Sequence, residues 1–229
     1  MSFYTKEIPR SRSVSAPMII VCAPSGSGKT TILKALLNDR PDVHFSVSHT
    51  TRPPRPKEQE GIDYYFVSPS VFESMIQEHD FLEYVHNYDH YYGTSRRPLE
   101  LALRQGQTVI LDLETEGVAR VKDLYPTAQS VFILPPSLVA LKERLYGRGD
   151  ESPVQLKLRM AQVAHQLAEA SHFDFILLNQ DQTKAQTQLS ELIRALETQD
   201  IARVEEMRRV SQAHQDLLHS LQHEAMTSL

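Results

Sequence analysis

Met18-Ile19-Ile20-Val21-Cys22-Ala23-Pro24-Ser25-Gly26-Ser27-Gly28-Lys29-Thr30 is the stretch on which the fold turns. Its first six residues are a continuous apolar run between Pro17 and Pro24, the pattern of a strand buried on both faces. A Gly/Ser turn follows, and residues 29–38 predict a helix with Ile32, Leu33, Leu36 and Leu37 on one face. Ala23-Pro24-Ser25-Gly26-Ser27-Gly28-Lys29-Thr30 is the P-loop pattern, with Ala23 where its strict form has glycine. Inward-turned backbone N–H groups and the positive helix end make an anion hole for a polyphosphate. Gly26 and Gly28 permit the backbone values and close approach that a side chain blocks. Lys29 places a charge on the outer phosphates, and Thr30, followed by Thr31, offers a hydroxyl to Mg²⁺. ATP is the ligand this pattern implies; an ordinary Gly/Ser-rich βα turn is the alternative.

Working outward, the chain has 229 residues, one large domain or two small ones. Apolar residues make up 41% and charged residues 23%, enough for a packed core. Lys plus Arg total 24 against 29 for Asp plus Glu, and a net charge of −5 disfavours coating nucleic acid by bulk charge. Cys22 is the single cysteine, which excludes a disulfide framework and fits a reducing compartment. No apolar run approaches the roughly 18 residues that span a bilayer. Residues 1–17 lack the apolar segment of a secretory signal and read as a flexible leader. These features predict a soluble, cytoplasmic protein with no nucleic-acid or membrane partner.

Residues 43–49 predict a second strand. From 50 to 98 the texture changes, because Pro53, Pro54 and Pro56 forbid a long helix. A strand over 64–67, a short helix over 70–79 and aromatic-rich strands over 81–92 predict an inserted mixed α+β subdomain. Helices over 95–105, 116–124, 137–146, 153–170 and 182–197 then alternate with strands over 109–111, 130–134 and 175–178. Such alternation predicts an α/β fold whose parallel sheet is flanked by helices, with core segments 18–49 and 99–197.

Arg52 and Arg55, three apart on a proline-stiffened stretch, present fixed forks that suit a phosphate better than a flexible lysine. A solvated loop is the plain alternative. Residues 58–65, Phe81-Leu82-Glu83 and His90-Tyr91-Tyr92-Gly93-Thr94 add carboxylates and hydroxyls to the same insert. A carboxylate can accept guanine N1–H and N2–H₂ side by side, a pair that adenine does not offer.

With these residues in view, the chain over 18–197 resembles the guanylate kinase family. The resemblance rests on the P-loop, on Ser-Val-Ser-His-Thr-Thr-Arg-Pro-Pro-Arg-Pro (46–56), Asp-Tyr-Tyr-Phe-Val (63–67), Phe-Leu-Glu (81–83) and Tyr-Tyr-Gly-Thr (91–94). It continues in family order through 110–114, 132–137, 144–149, 158–161 and 178–181. The resemblance implies a P-loop kinase core, an insert that binds the acceptor nucleotide, and a helical lid at about 144–159. It implies transfer of the γ-phosphoryl group of ATP to GMP or dGMP, with Mg²⁺. It implies that Arg52, Arg55, Tyr64 and Tyr92 hold the acceptor phosphate, and that Ser48, Glu83 and Thr94 read the guanine. Glu114 and Asp112 would hold the nucleoside or the metal's water shell. Arg144, Arg148 and Arg159 would be lid-side arginines, and Asn179 would sit near the adenine. Asp-Leu-Glu-Thr-Glu-Gly-Val (112–118) departs from the family's Asp-Ile-Asp-x-Gln-Gly-Ala, and Asn-Gln-Asp (179–181) from its commoner Asn-Asp-Asp.

Two other readings stand beside this one: a related P-loop kinase for another phosphorylated acceptor, and a catalytically inactive interaction module. The module is disfavoured by the intact Lys29 and Thr30. No general base is needed, because the acceptor phosphate is itself the nucleophile, so His49 reads as structural. Residues 200–229 contain no Pro or Gly, and Ile201, Val204, Met207, Val210, Leu217, Leu218 and Leu221 form a narrow apolar seam. One amphipathic helix is predicted over 198–229, packing against a second copy in a homo-oligomer, with folding back on its own core as the alternative.

Overall fold

The computed structural model describes residues 16–87, 89–146 and 153–227. The opening apolar run forms β1 (Met18–Cys22), followed by α1 (Lys29–Asp39), β2 (His44–Ser46), β3 (His49–Thr50) and β4 (Tyr65–Phe66). Next come α2 (Pro69–Gln77), β5 (Phe81–Asn87), β6 (His90–Ser95), α3 (Arg96–Arg104), β7 (Val109–Asp112), α4 (Thr115–Leu124) and β8 (Gln129–Leu134). The chain then continues through α5 (Leu138–Tyr146), α6 (Pro153–Glu169), β9 (Phe175–Leu178), α7 (Gln182–Glu197), α8 (Ile201–Ala213) and α9 (Gln215–Thr227).

A five-stranded sheet in the order β2-β7-β1-β8-β9 is parallel throughout. Side chains alternate across it. Ile19 and Val21 pack with Ile32, Leu36, Leu189 and Leu192 of α1 and α7 on one face. Met18, Ile20 and Cys22 pack with Leu99, Val121, Leu141, Val163 and Leu218 of α3, α4, α5, α6 and α9 on the other. Helices thus cover both faces, which is why β1 tolerates no polar residue.

The expected strand over 43–49 divides between two sheets. Ser46 pairs with Leu111, one residue before β7 ends at Asp112 beside the cleft, and the chain then turns away. His49 and Thr50 instead pair with Gly93 and Tyr92 in a four-stranded sheet ordered β4-β3-β6-β5. This second sheet is the insert. Phe72 of α2 closes one side of it, stacked on Phe81 at 4.3 Å and on Tyr91 at 5.1 Å between ring centroids.

The C-terminal segment departs from the expected single helix. The single helix is two, broken at His214, and they fold back on their own chain. In α8, Met207 and Ser211 are buried; in α9, Leu218, Leu221 and Ala225 are. The edge strand supplies the reason. The Ile176 N–H donates to Ser211 Oγ at 2.5 Å, and the Ile176 carbonyl lies 3.1 Å from His214 Nδ1. Exposed strand edges attract other strands, and these contacts close this one. Of the seam expected to meet a second copy, Met207, Leu218 and Leu221 are buried within the chain, while Ile201 and Val210 stay exposed.

Candidate active site

The P-loop leaves the carboxyl end of β1, where open parallel sheets collect ligands. Gly26 and Gly28 have φ of 87° and 93°, left-handed values that glycine adopts without strain. Gly28 caps α1 without a side-chain hydrogen bond, so the first helical N–H groups keep their capacity for an anion. The buried Ser27 hydroxyl has no hydrogen-bond partner, and a phosphate oxygen would supply one. Lys29 is ion-paired with Asp112. Burial works against the lysine's charge, but Asp112 and then Glu114 outweigh it and hold the pKa above the ordinary lysine value. The amine stays cationic.

The facing wall comes from the insert. The β5–β6 register sets Glu83 opposite Thr94, whose hydroxyl donates to Glu83 Oε1 at 2.7 Å. Glu83 is 5% exposed, and burial pushes its carboxyl above the usual glutamate range against the pull of Thr94. A Cβ at position 117 would come 3.0 Å from Glu83 Oε2, so Gly117 of α4 keeps room for that carboxylate. Arg52 stands 5.5 Å from the Tyr64 ring centroid, and its Nη2 donates to both Glu58 oxygens at 2.8 and 2.9 Å. The Arg55 N–H donates to Glu58 at 2.7 Å. Burial pushes the Tyr64 hydroxyl up to about 12, so it remains a donor.

These two walls enclose one cleft of about 280 Å³. Ala23, Pro24, Ser25, Gly26, Ser27, Gly28, Lys29, Thr30 and Thr31 line one side of it, and Ser48, Arg52, Arg55, Tyr64, Glu83 and Tyr92 another. Asp112 and Glu114 line the cleft at the end of β7, and Arg159 of α6 lines it as well. Arg144 of α5 reaches the Gly26 and Ser27 carbonyls at 3.4 Å. Arg148 lies outside the described residues. Thr94 stands off the cleft wall, 1% exposed, behind the carboxylate it serves. Asn179 is 4% exposed and its Nδ2 donates to the Ser27 carbonyl at 2.5 Å, off the cleft wall. Its amide is committed to the loop backbone.

Sequence reasoning missed Glu58, which anchors both insert arginines, and Gln162 and Gln166 of α6, which line the cleft beside Arg159. Gln166 Nε2 donates to Glu114 Oε2 at 2.7 Å. Positions 159, 162 and 166 share one helix face, and that polar stripe was the available signal.

A P-loop on a parallel sheet, facing paired arginines and a buried carboxylate across one cleft, defines a P-loop phosphotransferase. Residues 15–196 match the family model described as guanylate kinase. A guanylate kinase of Thiobacillus denitrificans is 44% identical over 179 residues, covering 78% of this chain and 86% of the relative. One from Shewanella violacea is 40% identical over 205 residues, covering 89% and 96%. The crystal structure of guanylate kinase from Anaplasma phagocytophilum superposes with a TM-score of 0.67 at 26% identity, covering 79% of this chain and 86% of that one. The chain belongs to the guanylate kinase family.

Proposed function

We propose that this cleft transfers the γ-phosphoryl group of ATP to GMP, giving ADP and GDP, as a step of purine nucleotide metabolism in the cytoplasm. The observation that carries this reading is that the P-loop and the Glu83–Arg52 wall line one cleft. The P-loop cradles the ATP phosphates, with Lys29 on the charge that migrates. Arg52, Arg55, Tyr64 and Tyr92 grip the acceptor phosphate. Glu83 and Ser48 take the guanine edge, with Thr94 orienting Glu83.

Two polyanions must meet in line, so cations and positioning do the work rather than a general base. Arg144, Arg148 and Arg159 add positive charge from the lid side. Glu114, fixed by Gln166, would hold the nucleoside. Among the described residues no group of three or more His, Cys, Asp or Glu side chains is placed to hold a metal. Mg²⁺ typically binds through substrate phosphates with few protein ligands, which fits the Thr30 hydroxyl and the nearby Asp112. When bound it would neutralise the β and γ phosphate oxygens.

The experiment is ADP release measured in parallel with GMP, dGMP, AMP, UMP and CMP. Turnover with GMP and dGMP alone is expected. Equal turnover with AMP would overturn the reading.

A further inference from the structure

Asn179 has a place in the fold that the assigned chemistry does not use. It follows β9, and its N–H donates to the Leu134 carbonyl at 2.8 Å, extending the β8–β9 ladder by one residue. Its side chain then crosses to the P-loop, 152 residues earlier, and binds the Ser27 carbonyl at 2.5 Å. A Cβ on Gly28 would come 2.5 Å from the Asn179 amide nitrogen. Glycine at 28 suits its φ of 93°, and any side chain there would also displace the Asn179 amide from its present place.

In a trans peptide the carbonyl and the N–H point in opposite directions. Tying the Ser27 carbonyl to Asn179, off the cleft wall, aims the N–H of Gly28 the other way, toward the anion site. Arg144 reaches the same carbonyl only at 3.4 Å, a weak contact. With Asn179 holding the carbonyl, Arg144 can leave for a phosphate without releasing the loop.

We propose that Asn179 is a positioning residue that locks the P-loop in its anion-binding form, tying it to the end of β9, and does not read the donor's base. This rests on the loop's being the ATP phosphate site.

The test is Asn179→Ala, with titration of ATP, inorganic tripolyphosphate and GMP. Tripolyphosphate carries the phosphates without the base. Affinity for ATP and for tripolyphosphate should fall together, by about tenfold for one buried hydrogen bond, while GMP affinity stays unchanged and reports an intact fold. Loss on ATP with tripolyphosphate unaffected would overturn the proposal in favour of a base contact. No loss on either would also overturn it. Lys29→Ala separates the two levels: sensitivity to Lys29→Ala with indifference to Asn179→Ala sinks the inference alone, and indifference to both sinks the phosphate-loop reading beneath it. Should Asn179→Ala not fold, Asn179→Ser, whose hydroxyl is too short to span the gap, is expected to give the same paired loss.

Discussion

The two walls of the cleft are built on opposite plans. The phosphate-loop wall is backbone: eight consecutive residues, two of them left-handed glycines, turning N–H groups into a cradle at the start of α1. The insert wall is side chains from separate elements: Glu83 on β5, Tyr92 on β6, and Arg52 on a proline-stiffened segment. A backbone cradle recognises phosphate in any nucleotide. A side-chain wall can tell one base from another, because carboxylates and hydroxyls present a directional pattern. Damage to the first should be indiscriminate, and damage to the second selective.

The strongest way to break this contrast is Lys29→Ala. Removing one preorganised charge from the transferred group should cost about 10²–10³ in kcat, for every acceptor tested and with thermal stability retained. More than about a tenth of the activity remaining, in a steady-state assay, would remove Lys29 from the chemistry.

Next in size is Glu83→Gln. A lost hydrogen bond to a buried charge is worth roughly 1.5–3 kcal/mol, about tenfold to a hundredfold in kcat/KM for GMP, with ATP affinity unaffected. Equal losses on GMP and AMP would make Glu83 structural.

Glu58→Gln sharpens the contrast within the insert wall. Glu58 holds Arg52 and the Arg55 backbone but stands outside the cleft lining. A loosened, partly exposed arginine should raise the KM for GMP by about threefold to tenfold and leave kcat nearly as it was. A fall in kcat with unchanged KM would contradict this role.

The smallest effect is on pH. On the proposed reading Glu83 accepts guanine N–H groups as a carboxylate, and burial raises its pKa, so the competent form is lost as pH falls through that raised value. The acid limb of kcat/KM for GMP should stand above the ordinary glutamate value of about 4.3. A pH–rate profile with the limb at or below that value would show the Glu83 carboxyl to be unperturbed in the free enzyme.

Legibility followed the same division. The P-loop could be read in one pass because its function is local: strand, turn and helix start lie within Met18–Asp39. The insert could be bounded by its prolines and aromatics, yet the partner of Arg52 could not, since Glu58 is one of several nearby carboxylates and only the folded turn selects it. Gln166 was harder still. Nothing within α6 points to Glu114, 52 residues away.

The C-terminal seam marks the limit most clearly. Met207, Leu218 and Leu221 of the seam are buried while Ile201 and Val210 are exposed, because periodicity describes a face and not what covers it. Met207 and Leu218 found the chain's own core because Ser211 and His214 were there to satisfy the backbone of edge strand β9.

From sequence alone came the parallel α/β core, the phosphate loop and the insert with its candidate residues. The core, the loop and the bounds of the insert rest on short-range patterns: continuous apolar runs, glycines where the chain must turn, arginines held by prolines. The roles of Ser48, Tyr64, Glu83, Tyr92 and Thr94 came from the resemblance to the guanylate kinase family. Tertiary structure alone decided which polar groups meet. It brought Glu83 to Thr94, Arg52 to Glu58, Asn179 to the Ser27 carbonyl and the last two helices onto their own sheet. A buried polar group must find a partner at hydrogen-bond distance, and which partner arrives depends on strand register and helix packing, not on neighbours in the chain.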